Sequence, residues 1–578
     1  MAEWPDPARE VTLATGVAPC RFDPGEDRRG AMRACRAILL TLALASPMAA
    51  AGEDLQRGPG PHRATHAPGG APASEAFDPR RSAAQGFPGE PAPPRLYYHV
   101  FVRSFADSDG DRIGDLRGLA SRIDYLKSLH VTHVLLTPIQ ASPFYHNYFS
   151  TDFDAVDPAY GGNAAWVEFV RAAHSRGLKV ILDEEFQYVA EGHPWWRDQE
   201  GRPGAPEGRF VLWNRRDSQR DPEPFLGQLR YRTHDGRSVG IAMVDLSEPT
   251  LRDWFRRYLH RWADPLGNGS LVGGVDGYRI DHMMDDLDAK HRVTNLFGGF
   301  WKPIFEDLRT LNPSIEIIAE QYDWKTGEDF LRRGGAGAVF AFPLREAIVR
   351  LDKRAILEAF DRTVVATPPG RRQLVFLENH DVDRFASLAG SDPRKLRAGA
   401  VLGLTLGRDA IIYYGQEIGM RGMQLTGMDS DGAQIPVREA FRWKRSLDAA
   451  GSAIWYRGSD RWWTQRKNRS ADGVSVEEED PLPESLLNFY RRVAALRLAR
   501  PEFAVGDLEL SCRGPGPVLC YRWSDGTHWT WIAVNLGPDP ARAGLPAAST
   551  RRDLLGDEPV QGDDVELPPW GVRLVGSP

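Results

Sequence analysis

The 578 residues exceed what one ordinary domain needs, and a hydrophobic content of 42% supplies ample core. A formal net charge of −7 is small for this length and argues against an electrostatic partner such as nucleic acid. No run of about 18 apolar residues occurs, so no helix is expected to cross a membrane once the N-terminal segment described next is removed.

Residues 32–51 begin Met-Arg-Ala-Cys-Arg, continue through an apolar run from Ala37 to Ala45, and end in Ala49-Ala50-Ala51. A basic start, a short apolar run and a small-residue cleavage site form the pattern of a secretory signal peptide. The expectation is an exported protein, periplasmic or extracellular, with translation starting at Met32. Residues 1–51 are read as extension and signal. Residues 52–93, rich in Gly, Pro, Ala and charge, are read as a disordered linker. Cys512 and Cys520 flank a turn-rich stretch, Arg-Gly-Pro-Gly-Pro-Val-Leu, and a disulfide across it suits an oxidising compartment.

From Leu96 onward, β-branched and aromatic runs alternate with amphipathic helical stretches. The runs are Leu96–Val102, Thr132–Pro138, Leu178–Glu185, Val275–Asp281, Ile315–Glu320, Ala338–Phe342, Gln373–Leu377 and Ala410–Gly415. Helical patterns between them include Leu116–Leu129, Ala164–Arg176, Thr250–Trp262 and Trp301–Leu311. Eight apolar strands separated by helices predict an α/β (β/α)₈ TIM barrel over residues 94–498. Two intervals are too long for ordinary loops: about 187–245, an inserted subdomain after the third strand, and about 418–484 after the eighth. Residues 499–578 carry short strands with Gly/Pro turns and predict an antiparallel β-domain. Tryptophans such as Trp195 and Trp324 are read first as core and only second as platforms for sugar rings.

Three acidic residues stand at strand ends, where barrel enzymes build their sites. Asp281 closes Val-Asp-Gly-Tyr-Arg-Ile-Asp, with Arg279 two residues earlier on the same strand face. Glu320 closes Ile-Glu-Ile-Ile-Ala-Glu. His380 and Asp381 follow Leu-Val-Phe-Leu-Glu-Asn. Glycoside hydrolysis with retention needs two carboxyls about 5–5.5 Å apart, one a nucleophile and one a proton donor. An arginine keeps the nucleophile ionised, while burial and neighbouring negative charge raise the acid.

These segments resemble the signature motifs of the α-amylase family of glycoside hydrolases. Gly-Tyr-Arg-Ile-Asp (277–281) is similar to the nucleophile motif, Ile-Ala-Glu (318–320) to the acid/base motif, and Phe-Leu-Glu-Asn-His-Asp (376–381) to the third. Asp-Ser-Asp-Gly-Asp-Arg-Ile-Gly-Asp-Leu-Arg-Gly (107–118) and Tyr-Tyr-Gly-Gln-Glu-Ile-Gly-Met (413–420) resemble the oligo-1,6-glucosidase and trehalose-synthase side of the family, the α-glucosidase-like branch. The resemblance implies Asp281 as nucleophile, Glu320 as acid/base and Asp381 as transition-state stabiliser. Arg279, His380, Tyr148, Tyr188 and Phe149 would contact or support an α-glucan or small α-glucoside. It also implies a structural Ca²⁺, with Mg²⁺ as the alternative, at Asp107, Asp109, Asp111, the Ile113 carbonyl and Asp115. Alternating carboxylates suit that hard-oxygen coordination, although Arg112 and Gly118 depart from an EF-hand loop.

The departures are informative. Gln187 and Tyr188 stand where the family has Asn-His after the third strand. Asn147, Tyr148 and Phe149 replace Gly-Tyr-Asp; Tyr148 keeps the stacking platform, but Phe149 cannot bond hydroxyls. Met284 and Asp285 stand near the Lys-His of endo-amylases. Hydrolysis through a glycosyl-enzyme is the leading reading and α-glucosyl transfer or isomerisation the second. A silent sugar-binding protein on the same fold is the third. The intact catalytic set weighs against the last, since a binder need not keep both a nucleophile and an acid.

Overall fold

The computed structural model describes residues 93–578, apart from 429, 459 and 549. The signal-type segment therefore lies outside the described residues, as does the linker except for Pro93. Among the described residues no helix is long and apolar enough to cross a membrane.

Eight parallel strands close into a barrel in chain order: Arg95–Val100, His133–Leu136, Lys179–Glu184, Gly277–Met283, Glu316–Gln321, Ala338–Phe340, Arg372–Phe376 and Asp409–Tyr413. The first strand pairs with both the second and the eighth, which closes the ring. All eight overlap the apolar runs read from the sequence. They stand out because strands covered on both faces are apolar throughout. Inward-facing Tyr97, Leu135, Ile181, Ile318, Leu374 and Ile411 fill the lumen as a packed core.

The helical stretches appear as Gly162–Ser175, Pro249–Ala263 and Lys302–Leu311, the last entered through a π-helical turn at Phe297–Trp301. The single helix expected over Leu116–Leu129 is two pieces, Leu116–Ala120 and Ile123–Ser128. Ser121 Oγ donates to the Gly118 carbonyl at 2.6 Å, a side-chain bond that competes with helix continuation. Gly118 itself is dictated by close approach, because a Cβ there would fall 2.1 Å from the Ala106 carbonyl oxygen. That contact explains why no glutamate closes the preceding acidic loop.

The subdomain after strand three holds an antiparallel sheet of Tyr188–Ala190, Ser238–Met243 and Arg230–Arg232. Trp195 and Trp196 are core residues of this region; Trp195 packs edge-on against Phe210, Trp254 and Phe255. Trp324 lies half-buried and stacked on Phe342. The interval after strand eight includes a 3₁₀ segment, Asp431–Arg438, that returns over the barrel mouth. The C-terminal region forms a five-stranded antiparallel sheet, with Val518–Ser524, Trp529–Asn535 and Val572–Gly576 at its centre. Cys512 and Cys520 are disulfide-bonded. The sheet packs on the barrel through Trp523, whose indole donates to the Thr405 carbonyl at 2.7 Å.

Candidate active site

Strand four carries Arg279 and Asp281, and its pairing with strand five slips between Ile280 and Met283. Such a bulge releases residues from the ladder and re-aims their side chains. It falls on Asp281 and His282, and His282 adopts a left-handed φ of +46° that L-residues avoid. Its backbone N–H is thereby free to donate to Glu320 Oε2 at 3.2 Å.

One buried guanidinium ties three strand ends together. Arg279 Nη1 donates to both Asp183 oxygens, at 2.7 and 2.8 Å, and to Asp281 Oδ1. Its Nη2 lies 2.8 Å from Glu320 Oε2. Asp183, Asp281 and Glu320 lie near the C-terminal ends of strands three, four and five, so a single planar cation sets their spacing. Tyr148 donates to Asp183 at 2.7 Å and stacks on His380 with ring centroids 5.3 Å apart. His380 Nε2 is 2.9 Å from Asp381 Oδ2. The other Asp381 oxygen accepts from Arg438 at 2.9 Å and Gln434 at 3.2 Å, both delivered by the 3₁₀ segment. Asp281 and Asp381 keep 17% and 21% side-chain exposure, against 0% for Asp183 and 7% for Glu320, so these two open to the cleft.

Electrostatics divides the carboxyls. Burial alone would raise Asp281, but Arg279, a hydrogen bond with Glu185 and the charge of His282 outweigh it and hold the group below the usual range. Glu320 goes the other way. Its burial, with Asp281 and Asp381 nearby, pushes it well above the usual range despite Arg279. Asp381 is held far down, since His380, Arg438 and Arg279 overcome its burial. An ionised carboxylate beside a protonated one is the pairing that nucleophilic attack with proton donation requires.

Residues 99–506 match the alpha amylase catalytic domain, and residues 506–574 match a domain of unknown function, DUF3459. The chain belongs to the alpha-amylase family. It is similar to "Alpha-amylase 3" of Dictyoglomus thermophilum, 28% identical over 74% of this chain and 81% of that protein. It is similar also to a 4-alpha-glucanotransferase of Thermotoga maritima, 27% identical over 76% of this chain and 95% of that protein. A trehalose synthase/amylase of Mycobacterium tuberculosis is 26% identical over 74% and 78%. Among solved structures, an alpha-amylase from H. orenii superposes with a TM-score of 0.67 at 26% identity, covering 85% of this chain and all of the other.

Within this alpha-amylase frame, Asp281, Glu320, Asp381, Arg279, His380 and Tyr148 converge on one cleft. Tyr188 and Phe149 enter differently, as parts of an aromatic wall. Tyr188 is buried edge-on against Phe225 at 4.5 Å, and half-buried Phe149 packs on Phe144, His146 and Phe225. Sequence reasoning missed Asp183, Glu185, Gln434 and Arg438. Alternation along strand three places Asp183 and Glu185 on one face and would have found both. Gln434 and Arg438 carry no such signal, because a long interval brings them back over the mouth.

In the acidic loop, Asp107, Asp109 and Asp115 bring carboxylate oxygens within 4.8 Å of one another. Asp111 stands outside that group, its Oδ1 accepting from the Ile113 backbone N–H at 2.7 Å. Asp107 and Asp115 also accept several backbone N–H groups, which fixes the loop around them. Three fixed carboxylates are a donor set that fits Ca²⁺ or Mg²⁺.

Proposed function

We propose that the protein is a retaining glycoside hydrolase that cleaves α-glucosidic bonds in malto-oligosaccharides or small α-glucosides. Asp281 attacks the anomeric carbon while the glycosidic C–O bond breaks, and Glu320 gives its proton to the departing oxygen. Water then attacks the glycosyl ester, yields its proton to Glu320 and releases Asp281. Asp381, held ionised by Arg438 and His380, stabilises the cationic ring between these steps. The observation that carries this reading is the opposite treatment of two carboxyls on one arginine: Asp281 is held below the usual carboxylate range and Glu320 is pushed well above it. Tyr148 offers a ring to the sugar, with Tyr188 and Phe149 beside it.

Transfer to a sugar hydroxyl is the second reading, favoured by relatives named 4-alpha-glucanotransferase and trehalose synthase/amylase. The motifs at 107–118 and 413–420 favour the oligo-1,6-glucosidase and α-glucosidase-like branch of the family. Asp107, Asp109 and Asp115 would hold a structural Ca²⁺, which contributes fold stability and takes no part in bond cleavage. Export is supported by the 32–51 segment and by the Cys512–Cys520 bridge.

Incubation with maltotriose, isomaltose, sucrose and trehalose, followed by chromatography and anomeric NMR, tests the proposal. Glucose or short products released first as α-anomers are expected. β-Anomers would refute retention, new oligosaccharides would favour transfer, and binding without turnover would refute the enzyme.

A further inference from the structure

Strand three ends at Glu184, and the buried residues that follow, Glu185 and Gln187, lie against Asp281. Glu185 is 4% exposed and its carboxyl is hydrogen-bonded to that of Asp281. Gln187 braces it. Its backbone N–H donates to Glu185 Oε1, and its amide nitrogen lies 3.3 and 3.4 Å from the two Glu185 oxygens. The same nitrogen lies 3.3 Å from the Asp281 backbone carbonyl, so one side chain joins the Glu185 carboxyl to the Asp281 main chain.

We propose that Glu185 is a positioning residue for the nucleophile, its protonated carboxyl donating to Asp281 and thereby setting the orientation and basicity of that group. The proposal rests on the reading of Asp281 as nucleophile. Two carboxyls in hydrogen-bond contact must share a proton, because two adjacent anions repel. Asp281 already receives Arg279 and faces His282, which leaves the proton with Glu185. Burial and the Asp281 charge keep it there, against the pull of Gln187. The other titratable groups nearby are Asp183 on the same strand, Glu320 on strand five, Asp381 after strand seven, and Tyr188 at the start of the inserted sheet.

The chemistry gives this hydrogen bond a direction. Attack on the sugar turns Asp281 from a carboxylate into a neutral ester, so the Glu185 bond weakens in that step. Cleavage of the ester regenerates the carboxylate, and the Glu185 bond strengthens. Glu185 therefore favours release of the glycosyl group over its capture.

The full chain is assayed on 4-nitrophenyl α-maltoside, whose good leaving group makes ester cleavage limiting, with Glu185→Met and Glu185→Gln. Glu185→Met removes the donor, so the Asp281 carboxyl rises and the acid limb of kcat/KM moves up by about one pH unit. Its kcat falls on the order of tenfold while kcat/KM at its optimum does not fall, so KM falls as well. Glu185→Gln keeps a donor and returns the acid limb toward that of the parent. It also loses the ionisation of Glu185 from the basic limb. An unshifted acid limb in Glu185→Met, or a parental basic limb in Glu185→Gln, overturns the proposal. If Glu185→Met does not fold, the basic limb of Glu185→Gln decides alone. Asp281→Asn separates the two failures: residual turnover there defeats the nucleophile assignment, whereas its inactivity with parental Glu185 profiles defeats only the positioning role.

Discussion

The two ends of the barrel handle buried carboxylates in opposite ways. At the N-terminal end, Glu316 and Asp409 begin strands five and eight and meet Arg95, Arg372 and His133, which begin strands one, seven and two or lie beside them. Arg95 lies 3.0 Å from Glu316 and Arg372 lies 2.7 Å from Asp409. Cations match anions there. Glu316 stays below its usual range because His133, Arg95 and Tyr97 outweigh its burial, while burial pushes Asp409 up to about 6. At the C-terminal end, five carboxyls (Asp183, Glu185, Asp281, Glu320 and Asp381) face two guanidinium groups, Arg279 and Arg438. Burial of so many acids raises Asp183 to about 7, even against Arg279 and Tyr148, and lifts Glu185 and Glu320 well above the usual range. Balanced charge holds a fold together, whereas an excess of acid leaves protons available for chemistry.

Substitution at the acid-rich end is expected to cost activity and little stability. Asp281→Asn should lower turnover by about 10³-fold or more while leaving the melting temperature unchanged or higher, since one buried charge is removed. Activity assays with calorimetry decide it, and retained turnover would refute the contrast. Glu320→Gln should lower maltotriose cleavage by about 10²–10⁴-fold and hydrolysis of an activated aryl glycoside far less, because only a poor leaving group needs the proton. Equal losses on both substrates would remove Glu320 from the acid role.

The balanced end should behave in reverse. Glu316→Ala strands buried cations and is expected to cost about 3–5 kcal/mol of unfolding free energy, with turnover per folded molecule unchanged. Because the folded Glu316 carboxyl lies below its unfolded value of 4.5, its contribution is present above that pH and disappears as the pH falls through the folded value. The stability gap between the two proteins in denaturant titrations should therefore narrow as the pH falls below 4.5. A constant gap would contradict the ionic role.

The Asp107 loop is a third solution, in which an ion from outside would neutralise the acids. Chelation should lower the melting temperature, by the equivalent of about 2–3 kcal/mol if the ion is near 100-fold its Kd. Asp109→Asn should abolish that sensitivity without altering the catalytic pH profile, and an EDTA-insensitive melt would argue that the loop's own N–H groups suffice.

Much of this molecule is legible along the chain. Strands buried on both faces are continuous apolar runs, which is why all eight barrel strands, and with them the acids Asp281, Glu320 and Asp381 near the ends of three, can be located along the chain; the Cys512–Cys520 pair is marked by the turn-rich stretch between its cysteines. Alternation along the Leu178–Glu185 run would also have exposed Glu185, two residues past Asp183. Tertiary structure decided the rest. Arg438 and Gln434 reach Asp381 only because a long interval folds back over the barrel mouth, and spacing in sequence carries no record of such a return. The bulge at Asp281 and His282 likewise depends on a neighbouring strand. Protonation is the deepest of these properties, since a carboxyl's charge depends on everything packed around it, and Asp281 and Glu320 diverge only once Arg279 and the surrounding acids are in place.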